Sequence, residues 1–339
     1  MSIRKNYKKF IDKEFRRIFG NYQELPPIFY WSDEWKNYYI KNHEIIDKKL
    51  DMLKAGLDKE SQEIIDLVYR RYVFLNPCFN HKQDILINFD KLFTLSELRE
   101  QNELNELRNN KDRFSSLLNK ALNGKNYLLP DEHKFPDSIY KSDGGLSFLD
   151  KNILNSIKNK AIIDGGAFIG DSALLFLKYS PSKIFCFEPT NLNFNLLNKT
   201  IKINSLGQVL IPVKIGISNV NCKSKIYGEG PGATLLTDKF KCSEDIELTT
   251  IDKFVSESNI NPGLIKLDIE GNELEAIEGA IETIKKFKPI LLISVYHHAK
   301  DFFEIKPLIE NLNIGYKFMV RKIEPFHTTV ETILIGWVG

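Results

Sequence analysis

The residues best placed to do chemistry are a carboxylate and glycines that follow one apolar run, and a second carboxylate that follows another. Ala161, Ile162 and Ile163 lead to Asp164. The chain turns through Gly165 and Gly166, passes Ala167, and reaches Gly170 and Asp171, where a helical pattern begins and runs to about Tyr179. A strand, a tight glycine turn and a helix N-terminus present backbone N–H groups and the positive end of a helix dipole to a ligand, the form of a nucleotide-type cofactor loop. Lys183–Phe187 then ends on Glu188 and Pro189, with Glu188 standing 24 residues after Asp164. A carboxylate there can accept hydrogen bonds from two ribose hydroxyls. Its other reading is a charge interaction at the N-terminus of the helix that follows. The glycine count separates cofactors. A dinucleotide fingerprint needs Gly-x-Gly-x-x-Gly, and counting from Gly165 the third position is Ala167. Counted from Asp164, Gly166 and Gly170 fall at a different spacing.

Later strand ends add polar groups. The buried-type strand Gly263–Asp268 closes on Asp268, with Glu270 two residues on. Asp268 can hold a cofactor amino group, orient an acceptor or bind a divalent cation. Glu270 shares its face if the chain stays extended, or else caps the next helix. Such a pair suits Mg²⁺, but no further oxygen ligands are identified, so no metal is assigned. His297 and His298 follow Leu291–Tyr296, and His327 falls in the turn between the last two strands. Loss of a hydroxyl proton needs a base. His297 is the first choice, with Asp268 and His298 beside it. Glu270, Tyr296, Arg321 and His327 are expected on the acceptor side, and Glu331 with them, although Arg321 and Glu331 also suit a cross-strand ion pair. Ser218 is grouped with the cofactor contacts.

The elements that position these residues alternate. Strands are expected at 160–164, 183–187, 208–215, 246–249, 263–268 and 289–296, and helices at 190–204, from 250, up to 287, and at 302–312. That order predicts a parallel sheet with helices on both faces. Strands 316–322 and 331–338 have no helix between them and should form an antiparallel hairpin at one edge. Ligands of such sheets bind at the carboxyl ends of the strands, where the polar residues above fall. A helix is expected over Leu146–Lys158, and an irregular, glycine-rich region containing Gly228–Gly232 is a candidate cover over the site. Residues 1–125 read as a helical domain and 126–150 as a connector, leaving 151–339 for the sheet. Phe29, Tyr30, Trp31, Trp35, Tyr38 and Tyr39 could stack on a sugar face or dock the helices on the sheet. Leu95, Leu98, Leu104 and Leu107 could pair helices between subunits as a homo-oligomer.

The segments Ile163–Ser172, Phe187–Pro189, Leu248–Asp252, Leu264–Glu273, Glu278–Ala280, Lys288–Pro289 and Glu331–Thr332 occur in this order. Together they resemble the FkbM-type methyltransferase family over about residues 143–338. The resemblance implies a Rossmann-like class I methyltransferase fold: α/β, with a seven-stranded, mostly parallel sheet. It implies S-adenosylmethionine as cofactor and methyl transfer to an oxygen of a sugar or sugar-containing compound. It supports Asp164, Gly166 and Gly170 as the methionine-side loop and Glu188 as the ribose carboxylate. Tyr296-His297 is similar to a pattern in some members. Phe168 stands where such loops usually carry a glycine.

Bulk properties narrow the alternatives. The net charge is +2 over 339 residues, so nothing points to nucleic acid or an acidic membrane surface. Cys78, Cys186, Cys222 and Cys242 lack metal-ligand spacing and read as free thiols of a cytoplasmic protein. No apolar run approaches the ~20 residues of a membrane span. Partners are therefore expected to be small-molecule or glycan substrates. An NAD-type oxidoreductase and a non-catalytic binding subunit remain the competing readings.

Overall fold

The computed structural model describes residues 32–78, 95–131, 133–228, 234–235, 243–324 and 330–339. Helices α1 (Ser32–Asn42), α2 (Ile46–Lys54), α3 (Lys59–Cys78), α4 (Leu95–Asn109) and α5 (Lys111–Ala121) precede α6 (Asp137–Ser142) and α7 (Lys151–Leu154). The sheet region runs β1 (Ala161–Gly165), α8 (Asp171–Phe176), β2 (Lys183–Phe187), α9 (Asn191–Ile203), β3 (Leu210–Val213), β4 (Gly216–Ile217), β5 (Cys222–Tyr227) and β6 (Ser243–Thr249). It continues with α10 (Ile251–Ser258), β7 (Pro262–Leu267), α11 (Glu273–Glu278), α12 (Ile281–Phe287), β8 (Ile290–Ser294), α13 (Ala299–Glu310), β9 (Tyr316–Lys322) and β10 (Thr332–Val338).

Seven strands form one sheet in the order β3-β2-β1-β7-β8-β10-β9. All its pairs are parallel except those of β10, which runs antiparallel between β8 and β9. Strands β1, β7 and β8 are apolar on both faces because helices cover both. One core holds Ile163, Ile265 and Leu291 with α10–α13, and the other holds Ile162, Leu264 and Leu292 with α8 and α9. The fold is the α/β class I methyltransferase architecture with a helical N-terminal region.

The helical region shares the first of these cores. Trp35 packs on Phe302 and Phe303 at ring-centroid distances of 5.4 and 6.3 Å, and Tyr38 stacks on Phe303 at 5.5 Å. Of the aromatic cluster, these two rings therefore serve docking; Phe29, Tyr30 and Trp31 lie outside the described residues. The N-terminus of α3 covers the outer edge of β9, where the Ser61 hydroxyl accepts from Val320 N–H and from the Arg321 guanidinium. An exposed sheet edge is a site of unwanted pairing, and this cover closes it. In α4, Leu104 is buried within the same chain, and Glu103 and Arg108 pair with Lys141 and Asp137 around α6.

Four expectations change. The helix over Leu146–Lys158 is instead a 3₁₀ segment (Asp143–Phe148), the single turn α7 and a second 3₁₀ turn (Asn155–Ile157). Its start is held against the sheet: a Cβ on Gly145 would lie 2.3 Å from Ile333 Cδ1. The helix to residue 287 is two helices. Gly279 packs so closely on Ser218 O that a Cβ would lie 2.3 Å from it, while the Asp252 carboxylate accepts from Glu282 and Thr283 N–H and starts α12 afresh. The strand over 208–215 stops at Val213, and Gly216–Ile217 belongs to a second sheet, β4-β6-β5. Strand β5 was not expected, because among its residues only Ile226 is buried and no apolar alternation marks it.

Candidate active site

The turn after β1 is shaped by contact with β7. Gly166 has φ +71°, and a Cβ there would lie 1.8 Å from Asp268 O, so only glycine fits. Gly170, at φ +88°, precedes α8 and packs on Leu197. Phe168 takes φ +48°, the left-handed region that glycine enters without strain. That is the physical content of the missing glycine. A half-buried Phe is held in a glycine conformation, its ring edge-on to His133 at 6.1 Å. Ala167 is fully buried beneath it.

Asp164 is fully buried and accepts from Ser172 Oγ at 2.7 Å. Its other oxygen lies 3.2 Å from the Lys266 ammonium, which also donates to Gly165 O and Gly166 O. Burial alone would favour neutral Lys266, but Asp164, Asp268 and Asp171 outweigh it and hold the ammonium charged. Lys266 thus ties the glycine turn to β7. The signal for it in the sequence was a lone lysine within an otherwise apolar strand. Burial pushes the Asp171 carboxyl up to about 6, with Lys266 opposing.

Glu188, at the end of β2, is almost fully buried. Its Oε1 accepts from Thr190 N–H, Thr190 Oγ1 and Asn193 Nδ2 at 3.0, 2.7 and 3.4 Å. Burial raises its pKa despite these donors. Glu188 and Pro189 line a cleft with about 580 Å³ of empty space, together with Gly166, Phe168, Ile217, Asp268, Glu270 and Asn272. Among the described lining residues, three are acidic and none is Lys, Arg or His. Ser218 is buried just beyond β4, its carbonyl against Gly279, and is not among the lining residues.

Asp268 and Tyr296 meet at the ends of β7 and β8, the Tyr296 hydroxyl donating to Asp268 Oδ1 at 3.3 Å. Burial opposes ionisation of Asp268, but Lys266 and then His297 hold its carboxyl below the usual range. His297 is fully buried. Its Nδ1 lies 3.0 Å from Glu273 Oε1, and its Nε2 lies 3.5 Å from Glu270 and 3.8 Å from Asp268. Burial works against the imidazolium, yet Glu273 and Glu270 carry its pKa well up and favour the charged ring. Glu273 also accepts from Ile269 and Gly271 N–H, which folds the loop after β7. It went unassigned from the sequence; a glutamate in the first turn of a helix was the available sign. Glu270 itself sits at φ +59°, a strained conformation of the kind found at functional sites.

Asp268, Glu273 and His297 bring one ligating atom each within 4.8 Å of one another. Glu273 accepts from Ile269 and Gly271 N–H and faces His297 Nδ1, so these side chains tie the loop after β7 to the end of β8. His298 precedes α13 and faces Glu34 of α1 at 3.5 Å; burial and Lys300 bring its pKa down to about 4, leaving it neutral. Glu331, half-buried at the start of β10 with φ +60°, is pushed up to about 8 by burial and by Asp268. Arg321 is turned away from Asp268 toward α3, pairing with Asp58 and Glu60. His327 and residues 229–233 of the expected cover lie outside the described residues.

Residues 164–318 match the methyltransferase FkbM domain. No curated protein sequence matches the chain. Among solved structures, the chain is similar to methyltransferase FkbM from Methylobacillus flagellatus at 18% identity and TM-score 0.56, covering 97% of this chain and 70% of that one. A METTL16 methyltransferase domain aligns at 14% identity and TM-score 0.41, covering 66% of this chain and 76% of that one. A putative rRNA methylase from Clostridium thermocellum aligns at 10% identity and TM-score 0.39, over 61% and 99%. The first of these likenesses is of fold.

Proposed function

We propose that the chain, whose residues 164–318 match the methyltransferase FkbM domain, is an S-adenosylmethionine-dependent O-methyltransferase acting on a hydroxyl of a saccharide or sugar-containing compound. The observation that carries the cofactor is the charge of the cleft. Among the described residues, Glu188, Asp268 and Glu270 line it and no lysine, arginine or histidine does. That wall repels a dinucleotide pyrophosphate and suits a ligand bearing a sulfonium and an ammonium. The glycine turn fits as well, since Gly166 lets the backbone close on Asp268 where a side chain would stand. Bound S-adenosylmethionine supplies an electrophilic methyl group on a positively charged sulfur.

The chain's own residues divide the remaining work. Glu188 accepts the ribose hydroxyls, its carboxylate held in place by Thr190 and Asn193. Asp268, kept ionised by Lys266, receives the ammonium or the acceptor hydroxyl. His297 is already charged and clamped between Glu273 and Glu270. We assign it to positioning the loop after β7 and not to proton abstraction. Glu331 faces the same edge, among Asp268, Lys266, Lys322 and His297. With a pKa near the working pH, it is the group suited to take the acceptor proton. Free Cys186 and Cys222 suit a reducing, cytoplasmic setting. Among the described residues, no helix is long and apolar enough to cross a membrane.

Isothermal titration with S-adenosylmethionine and NAD separates the main readings, with binding of the first and not the second expected. Transfer of tritiated methyl from the cofactor to a saccharide panel then tests the acceptor class. Binding of NAD alone would refute the proposal. Cofactor binding with no transfer to any saccharide would remove the acceptor assignment.

A further inference from the structure

A second cavity opens where α3 and α4 meet the end of β9 and the 3₁₀ segment before α7. It encloses about 1210 Å³ of empty space, counting its open mouth. The strand register places it on the same sheet edge as Asp268. Arg321 pairs with Ile333, Ile333 pairs with Ser294, and Leu267, just before Asp268, pairs with Ile293. Three strand spacings of about 4.8 Å put Arg321 roughly 14 Å along that edge from Asp268. A chain of a few pyranose units spans that distance.

We propose that this cavity binds a sugar unit of the acceptor remote from the one that is methylated, so that the protein acts on an oligosaccharide in preference to a free monosaccharide. The proposal rests on the saccharide reading given above. Two features of the lining carry it. Phe148 is 40% exposed, and its ring lies 5.5 Å from the Arg321 guanidinium, which holds an aromatic platform at the cavity wall. The C–H face of a pyranose packs on such a ring. The charges cancel: Glu60, Glu63 and Glu100 stand against Lys141, Arg321 and Lys322, which suits a neutral polyol better than a phosphate or a polyanion. Arg321 is more than nine-tenths buried, and its guanidinium seats the Phe148 ring. Of the N-terminal aromatic residues that suggested sugar stacking, Trp35 and Tyr38 are committed to docking. Phe148 is the exposed ring at a polar cavity.

The test uses linear trisaccharides of mannose, glucose, N-acetylglucosamine and rhamnose, each with its matching methyl glycoside. Binding is read by saturation-transfer NMR and transfer by tritiated methyl incorporation. The full chain is compared with Phe148→Ala and Glu63→Gln, after confirming unchanged melting temperature and S-adenosylmethionine affinity. The expected result is a trisaccharide whose KM rises about tenfold in Phe148→Ala, with kcat and the KM of the methyl glycoside unchanged. If trisaccharides are methylated and both variants keep the wild-type KM, the cavity assignment is wrong and the saccharide reading stands. If S-adenosylmethionine binds but no saccharide binds or is methylated, the saccharide reading fails and takes the cavity with it.

Discussion

Replacing Lys266 with methionine keeps the shape of the side chain and removes its charge. Two carboxylates, one fully buried and one partly exposed, lose their cation. Asp164 is fully buried with its Oδ1 3.2 Å from the ammonium, and Asp268 owes its lowered pKa first to Lys266. Two carbonyls, Gly165 O and Gly166 O, lose a donor as well. Removing one partner of a buried ion pair costs about 3–5 kcal/mol, because the other charge stays buried. That is a large share of the roughly 5–15 kcal/mol that holds a domain together. At about 2–4 °C per kcal/mol, the melting temperature should fall by roughly 6–20 °C. The pH dependence identifies the mechanism. Asp268 has a depressed pKa in the folded wild type, so its contribution is present above its unfolded value and lost as pH falls through the folded one. In the variant the Asp268 carboxyl rises instead, penalising the fold at neutral pH and relaxing as it protonates. The stability gap between the two proteins should therefore be widest near pH 7 and narrow toward acid. Urea unfolding across a pH series measures it. A gap under about 1 kcal/mol at neutral pH, or one that does not change with pH, would refute this account of Lys266.

Other perturbations separate binding from folding. Glu188→Gln should leave the melting temperature unchanged or slightly higher, since the raised folded pKa makes the ionised carboxylate unfavourable above its unfolded value. Titration calorimetry should nonetheless show S-adenosylmethionine affinity reduced by about tenfold or more. Gly166→Ala should abolish cofactor binding, because its Cβ would meet Asp268 O at 1.8 Å in a backbone conformation that alanine resists; near-normal affinity would show that the turn can move. Glu331→Gln should remove a kcat/KM limb that rises with pH toward a plateau above about 8. If that limb survives in Glu331→Gln and disappears in His297→Gln, the base is His297.

The sheet was legible because its strands are short apolar runs punctuated by Gly, Pro and a carboxylate. β2 and β9 fall where the pattern places them. Strand β5 was hidden because its pairing is made by backbone groups and its side chains, Lys223 and Lys225 among them, carry no apolar period. The break between α11 and α12 depends on a contact with Ser218, 61 positions away from Gly279, which no local pattern reports. At the site, residue types at strand ends brought Asp164, Glu188, Asp268 and His297 into view. Their charge states were not visible there. The imidazolium of His297 follows from Glu273 and Glu270 closing on it, and the raised carboxyl of Glu331 follows from its nearness to Asp268 across strands. Arg321 fell on the expected sheet edge, but its register beside α3 aimed it at the helical region.

The insertion of β10 between β8 and β9 has a consequence for biosynthesis. β9 is made first, yet among the described residues its only ladder partner is β10, so during translation it has no such partner until residues 332–338 emerge. The seat of α3 on β9, through Ser61 and Arg321, waits on the same event. Helices encoded near the beginning of the chain therefore find their place only after a strand that begins 271 residues after Ser61 (332 less 61) has slid into its slot. Until then the parallel strands β1, β2, β3, β7 and β8 can assemble while the edge that carries Glu331 and the second cavity is still unbuilt. A nascent chain paused before that point would hold the cleft beside Glu188 without Glu331 or the second cavity.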